Sequence, residues 1–540
     1  MAELVLGPLL RHVDQRSATI WVETSGPCVV EIASCRAATF QVSGHHYALV
    51  TVTGLVPDTI TPYEVRLDGA HTWPMPDSEF PQCRIRTVPE DPARPHRMVF
   101  GSCRKPQTAE PKAHRMLGTD ALEAYARRMA QLPERDWPDS LLLLGDQVYA
   151  DETTRETQQW LRRRRDVSRP PGTEVATFEE YVRLYHESWG SERVRWLLST
   201  VPTSMIFDDH DVRDDWNTSQ TWRDTISRQP WWGERIRGAL MSYWVYQHIG
   251  NLGPQELASD GMFQAVTAAG SDTDIADLLS DFADRADVEV NGTKGAQWSY
   301  RRDFGRVRLL VIDTRSGRIL RDNARSMISD DEFHWIENNA EGDLDHLLIG
   351  SSLPWLMPYV IHHIESLNEV GARAPGRTGR WAEQVRQAVD LEHWPAFQAS
   401  SARLARLIER IGKGSPATVC VLSGDVHHGY TARVEFQTAM RSEVHQLVCS
   451  PIHNVVPTAM KAAFRLSWWE PLARLVLWWS GRRGLPQPPV NWRKTSGPHF
   501  GNAVATLELC GREATMTLEH AREGAGGPEL IARPPVRLTS

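Results

Sequence analysis

The chain runs to 540 residues, 41% hydrophobic and 24% charged, with a formal charge of −8 at pH 7. That length suggests two or three domains, and the composition excludes a disordered or membrane-embedded protein. The acidic balance argues against a nucleic-acid partner, and the run Arg162 to Arg165 reads as a solvated helix face.

Residues 1–90 alternate apolar and polar positions, as in Ala18-Thr19-Ile20-Trp21-Val22 and Tyr47 to Val52, and are expected to form a small β-sandwich. Leu55 to Val65 resembles the strand, turn, tyrosine and strand passage of fibronectin type III-like domains. The N-terminus lacks the basic opening and apolar core of a secretory signal, and Pro89 to Pro95 reads as a linker. From Arg97 onward the pattern changes to continuous apolar runs, the mark of strands buried on both faces of a sheet: Met98 to Phe100, Leu141 to Leu144, Met205 to Phe207, Leu309 to Ile312, Leu347 to Ile349 and Val419 to Leu422. Each run ends in groups able to bind or polarise: Ser102-Cys103-Arg104, Gly145-Asp146, Asp208 to Asp211, Asp313-Thr314-Arg315, Gly350-Ser351-Ser352 and Ser423 to His427. Ligands of open α/β sheets sit beyond the carboxyl ends of strands, so this repeated placement predicts one convergent site.

Helix-rich insertions are expected at about 151–200, 216–295 and 355–415. Within them, His362-His363 and Glu392-His393-Trp394 read as packing or lid residues. Residues 95–455 would form the main domain. The remainder, 456–540, would supply a Trp-rich helical segment, two closing strands about a Gly511 turn, and a loose tail after Ala521. In the Trp-rich segment, Pro471 interrupts any single helix. Its tryptophans are expected to bury against the main domain or a second subunit; the competing reading is peripheral membrane contact through 464–483, which Arg482 and Arg483 would favour. No apolar run is long enough for a membrane span. Seven cysteines without CxxC spacing indicate neither a zinc ribbon nor a disulfide framework, and point to a reducing, cytoplasmic setting.

The order Gly145-Asp146, then Asp208-Asp209-His210-Asp211, then Gly424-Asp425-Val426-His427 places hard oxygen donors near imidazoles, a mixture suited to divalent or trivalent metals. This order resembles the calcineurin-like metallophosphoesterase superfamily. Ser102-Cys103 at the first strand and Gly-Asp-x-x-Tyr, ending at Tyr149, at the second are similar to its PhoD-like (alkaline phosphatase D) branch. The resemblance covers about residues 95–455. It implies an α/β (α+β layered) fold: a metallophosphoesterase-type β-sheet core flanked by helices, preceded by the sandwich. It also implies hydrolysis of small phosphoesters, as a phosphomonoesterase and/or phosphodiesterase, with two or more metal ions, Fe3+ with Ca2+ or other divalent metals. Asp146 would bridge the metals, Cys103 and Tyr149 would hold the iron, and Asp209, Asp425 and His427 would complete the pair. Two such cations neutralise phosphoryl oxygens while making a hydroxide. His210 would protonate the leaving alkoxide or orient the phosphate, and Arg104 would fork phosphate oxygens.

The PhoD-like branch commonly carries an Asn-containing stretch after its Asp-Asp-His-Glu motif. Here Asp211 to Asn217 makes Asp214 and Asp215 further candidate ligands, and His428 a candidate substrate contact. A non-catalytic phosphoester-binding or adaptor protein is the alternative, and oxidative chemistry at an iron-like centre a third reading.

Overall fold

The computed structural model describes every residue except 92–93, 322–324, 483–484, 486–487 and 540. Ten strands come first: β1 (Leu4–Val13), β2 (Ala18–Thr24), β3 (Val29–Ile32), β4 (Cys35–Ala38), β5 (Phe40–Val42), β6 (His45–Val52), β7 (Ile60–Pro62), β8 (Val65–Leu67), β9 (Ala70–Trp73) and β10 (Arg84–Arg86). Two four-stranded sheets, ordered β1-β2-β6-β5 and β4-β3-β8-β9, close on a core of Ile20, Val22, Val50, Val30, Ile32 and Val65. The expected β-sandwich is therefore present. Successive strand residues point to opposite faces. Leu9, Trp21, Tyr47 and Leu49 thus turn away from that core and join the main hydrophobic core of the chain, so the sandwich is docked and β2 is buried on both sides.

Buried polar groups tie the same seam. Arg11 donates to the carbonyls of Tyr246 (3.2 Å) and Gln247 (2.7 Å), and the Tyr246 hydroxyl donates to Glu23 at 2.9 Å. Tyr246 and Gln247 lie in a π-helical turn, Trp244–His248, whose wider winding turns carbonyls toward Arg11.

Fourteen strands follow: β11 (His96–Gly101), β12 (Ser140–Leu144), β13 (Thr203–Ile206), β14 (Tyr300–Phe304), β15 (Val307–Ile312), β16 (His346–Ser351), β17 (Thr418–Ser423), β18 (Gly429–Glu435), β19 (Glu443–Val448), β20 (Asn491–His499), β21 (Ala503–Cys510), β22 (Glu513–Gly524), β23 (Gly527–Ala532) and β24 (Val536–Arg537). All six expected apolar runs are strands. They divide into two sheets rather than one, ordered β13-β12-β11-β21-β22-β23, with β24 beside β22, and β14-β15-β16-β17-β19-β18-β20. The sheets meet face to face: a Cβ added to Gly350 of β16 would lie 3.3 Å from Leu144 of β12. Apolar runs look alike whether their second face meets a helix or another sheet, so the sequence pattern does not separate the two cases. The outer face of the second sheet packs on the helices Asp330–Ala340 and Gln398–Gly412 through Leu310, Ile349, Ile336 and Leu404.

The tail after Ala521 is not loose. Strand β22 continues to Gly524, and β23 and β24 pair back onto it. Arg127 secures the turn by donating to the carbonyls of Gly526 (2.6 Å) and Pro528 (2.9 Å).

The Trp-rich segment forms two helices, Thr458–Ser467 and Glu470–Gly481, with Pro471 in the first turn of the second, where a missing N–H costs nothing. Burial of its tryptophans holds only for Trp468, which packs against Tyr359 and Tyr430. Trp469, Trp478 and Trp479 are exposed, since their positions face away from the sheet. Arg483 and the middle of the expected linker lie outside the described residues. Among the described residues, no helix is long and apolar enough to cross a membrane.

Candidate metal centre and catalytic site

The ends of β11, β12, β13 and β17 bring Cys103, Asp146, Asp208, Asp209, His210 and Asp425 together, with His427 outside the groupings they form. Ligand atoms lie within 4.8 Å of one another in three overlapping groupings: Cys103 with Asp146 and Asp425, Asp146 with Asp209 and His210, and Asp208 with Asp209 and Asp425. Asp146, Asp209 and Asp425 each serve two of these. The chain leaves its strands abruptly here. Cys103, Asp146, Asp425 and His427 all adopt left-handed backbone, with φ of 57°, 51°, 63° and 49°. For non-glycine residues that costs on the order of 1–3 kcal/mol apiece, a cost usually met at functional sites. The two preceding glycines are required by proximity: a Cβ on Gly145 would stand 2.5 Å from Asp208 Cβ, and one on Gly424 would stand 2.0 Å from Ser102 Oγ.

The electrostatics are those of crowded anions. Burial, reinforced by neighbouring carboxylates, pushes the Asp146 and Asp208 carboxyls well above the usual range, and burial beside Asp146 and Asp425 does the same to the Cys103 thiol. Asp146 Oδ1 is buried without a hydrogen-bond partner. An orphaned hard oxygen, aimed into a cluster of thiol, carboxylate and imidazole donors, fits a cation. The Tyr149 hydroxyl lies at its edge, donating to Asp146 Oδ2 at 3.3 Å and accepting from Asn454 Nδ2 at 2.9 Å; the same amide is 3.4 Å from His427 Nε2.

Burial alone would lower the His210 pKa, but Asp151, 2.9 Å from Nδ1, together with Asp209 and Asp146, outweighs it and holds the ring well above its usual 6.5. Asp211 is no ligand: its carboxylate accepts the backbone N–H groups of Asp146 and Asp208, both at 2.9 Å, and so fixes two strand ends at once. Asp214 is largely exposed at the rim, while the N–H of Asp215 donates to Asp209 at 3.1 Å; neither belongs to the three groupings.

Several expectations are corrected. Arg104 does not face the site: its guanidinium is buried against Asp120 and the Ser188 carbonyl, because Asp120 caps the helix Ala121–Met129 and needs a counter-charge. His428 is buried under Phe464 and Tyr430, with Nδ1 on the Val426 carbonyl, so it cannot reach substrate. Glu392 and His393 belong to the wall of the site. His393 Nε2 is 3.0 Å from Asp425 Oδ2, and its Nδ1 is 2.9 Å from Glu365. Glu392, Asp208 and Asp209 surround the fully buried Arg315, whose Nη2 lies 3.3 Å from Asp209. By contrast, His362 and His363 pack on Trp492, as read.

A cleft of about 590 Å³ opens beside Asp151, lined also by Lys105, Pro106, Met116, Thr154 and Val455. Lys105, Arg155 and Arg162 are its cations; the Lys105 ammonium pairs with Glu152 and lies 4.9 Å from the Tyr149 ring centroid.

Strand-end carboxylates, a thiol and an imidazole gathered on two facing sheets make a site able to hold metal ions. A family model, PhoD-like phosphatase, matches residues 118–465, and the chain belongs to that family, as a phosphoric ester hydrolase. The match begins downstream of Cys103, so geometry alone places that thiol in the centre. A second model, a domain of unknown function (DUF7800), matches residues 1–85. A solved structure described as "Structure of PhoD" is 12% identical with a TM-score of 0.59, over 99% of this chain and 91% of that one. A maltogenic amylase from S. marinus is similar only at 8% identity and a TM-score of 0.16, over 96% of this chain and 77% of that one, and carries no argument. Comparison with curated protein sequences returned no match.

Proposed function

We propose that the chain hydrolyses small phosphomonoesters, phosphodiesters or both, in a metal-dependent reaction in which Asp146 is shared between two cations. The supporting observation is that Asp146 lies within 4.8 Å of Cys103 and Asp425 in one grouping and of Asp209 in another, which lets one carboxylate serve two neighbouring ions and leaves His210 free for proton transfer. In this reading Cys103, as thiolate, and Tyr149, as phenolate, would hold a trivalent iron, the cation offsetting the burial that raises both groups. The oxygen-rich side toward Asp209 suits calcium, and Asp425 and His427 complete the set. Cations so held supply Lewis-acid neutralisation of phosphoryl oxygens and lower the pKa of water.

The chain's own residues do the rest. His210, kept protonated by Asp151, donates its proton to the departing alkoxide. Lys105, whose ammonium lies over the Tyr149 ring and pairs with Glu152, takes the anion-orienting place rather than Arg104. Free thiols at all seven cysteines support a reducing, cytoplasmic setting.

Hydrolysis of p-nitrophenyl phosphate and its bis-ester, with metal content measured on the same sample, tests this reading. Asp146→Asn should lower turnover by about 100-fold or more, beyond the 10–100-fold typical of groups that only support a metal ligand. A metal-restored chain that cleaves neither ester would favour the phosphoester-binding alternative.

A further inference from the structure

The hairpin of helices Thr458–Ser467 and Glu470–Gly481 carries the densest apolar surface left facing solvent. Met460, Leu466, Trp469, Leu475, Trp478 and Trp479 are each between 41% and 58% exposed. Leu475, Trp478 and Trp479 follow helical spacing, with Arg482 one turn on, and so share one face, whereas Ala473 and Ser480 on the opposite side are buried. Such a patch marks an interaction site.

The charge around it says with what. Between residues 458 and 482 the basic residues are Lys461, Arg465, Arg474 and Arg482, against the single acid Glu470, in a chain whose net charge is −8. The Arg482 guanidinium sits 3.8 Å from the Trp478 ring centroid, so the cation lies at the edge of the apolar face. Exposed tryptophans and leucines rimmed by arginines match the boundary between anionic headgroups and hydrocarbon. A second copy of the chain matches poorly, because a two-fold contact would set the basic patch against itself.

We propose that this hairpin docks the protein on the surface of an anionic lipid bilayer. It lies on the membrane, since among the described residues no helix is long and apolar enough to cross one. Trp468, buried between Tyr359 and Tyr430 with the Lys494 ammonium 5.3 Å from its ring, bolts the hairpin to the second sheet, so docking carries the whole chain.

Sedimentation of the full chain with vesicles of phosphatidylglycerol and phosphatidylcholine, against vesicles of phosphatidylcholine alone, tests the proposal. The expected result is binding to the anionic vesicles that weakens with salt. Each basic residue near the surface contributes about fivefold, so Arg465→Gln with Arg482→Gln should weaken binding about 25-fold. Trp478→Ser with Trp479→Ser should abolish binding while the far-UV circular dichroism stays that of the parent, since both side chains lie at the surface. Absence of binding to anionic vesicles, equal binding to phosphatidylcholine alone, or full binding by the tryptophan variant would each overturn the proposal. A dimer in light scattering that the tryptophan variant dissolves would overturn it too, by giving the face to a second copy.

Discussion

Arg315 is the fully buried cation against which three carboxylates of the centre wall are set, and its removal should expose how much of the fold's stability depends on charge balance there. In Arg315→Met an apolar stem remains and the guanidinium is lost, leaving Asp208 and Asp209 without their counter-charge in a dry environment and Glu392 with Arg318 as its remaining partner. Breaking a buried pair from one side costs about 3–5 kcal/mol. In a chain of this size that is a fall in melting temperature on the order of 5 °C. The sign of its pH dependence follows from linkage. Loss of Arg315 pushes Asp208 and Asp209, already raised by burial, further above their unfolded values and lifts Glu392, which Arg315 helps hold below its own, so the native state takes up protons that the unfolded state does not. The deficit should therefore be small near pH 4 and grow as pH rises through the raised values. Thermal melts in chelator from pH 4 to 8, repeated with calcium added, measure both features; calcium should rescue the variant more than the parent. A variant melting within about 1 °C of the parent at pH 8 in chelator would refute the reasoning.

Replacing His393 by Ala removes the group that spans Asp425 and Glu365, and should weaken metal binding by about 10–100-fold in a chelator-competition titration while leaving the fold intact. Asp151→Asn removes the main counter-charge of His210, whose pKa should fall; because the general acid must be protonated, the alkaline limb of the pH–rate profile should move to lower pH. Burial pulls the Glu23 carboxyl up, but His186, His45 and Tyr246 outweigh it and hold it below the usual 4.5. Its stabilisation is thus present above pH 4.5 and lost as pH falls through the folded value. Glu23→Gln should cost about 1–3 kcal/mol near neutrality in denaturant melts and flatten the acid-side loss of stability.

Cys103, Asp146, Asp209 and Asp425 could be singled out from the sequence because each lies two or three residues past the end of an apolar run, and a strand end is a local signal. Arg315 shared that signal, in Asp313-Thr314-Arg315, but its role as counter-ion was not legible, since the three acids it meets come from Asp208-Asp209 and Glu392. His393 and Glu365 were missed for a related reason. Both lie in helical insertions, where nothing local distinguishes a histidine turned toward Asp425 from one packed on a tryptophan, as His362 is. Arg104 misled in the other direction: the helix-capping Asp120 that captures it is visible as Asp120-x-x-Glu123, yet the approach of that helix to the first strand is a tertiary fact. The division of the six core strands into two sheets was equally invisible, because pairing partners leave no trace in a run of leucines.

Strand β11, which delivers Cys103, is held on one side by β12 and on the other by β21, with Phe100 opposite Ala505 and His96 opposite Leu509. The strand that leads to the first donor therefore owes one of its two ladders to a segment made some four hundred residues later, while the N–H of Cys103 itself donates to the Gly145 carbonyl. A chain emerging from the ribosome can set Asp146 and Asp209 beside each other through the parallel pairing of β12 and β13 well before β21 exists. Contacts of such long sequence separation form last and slowest. The thiol corner of the centre is consequently a late event of biosynthesis, completed only as the last part of the chain folds back along its first sheet.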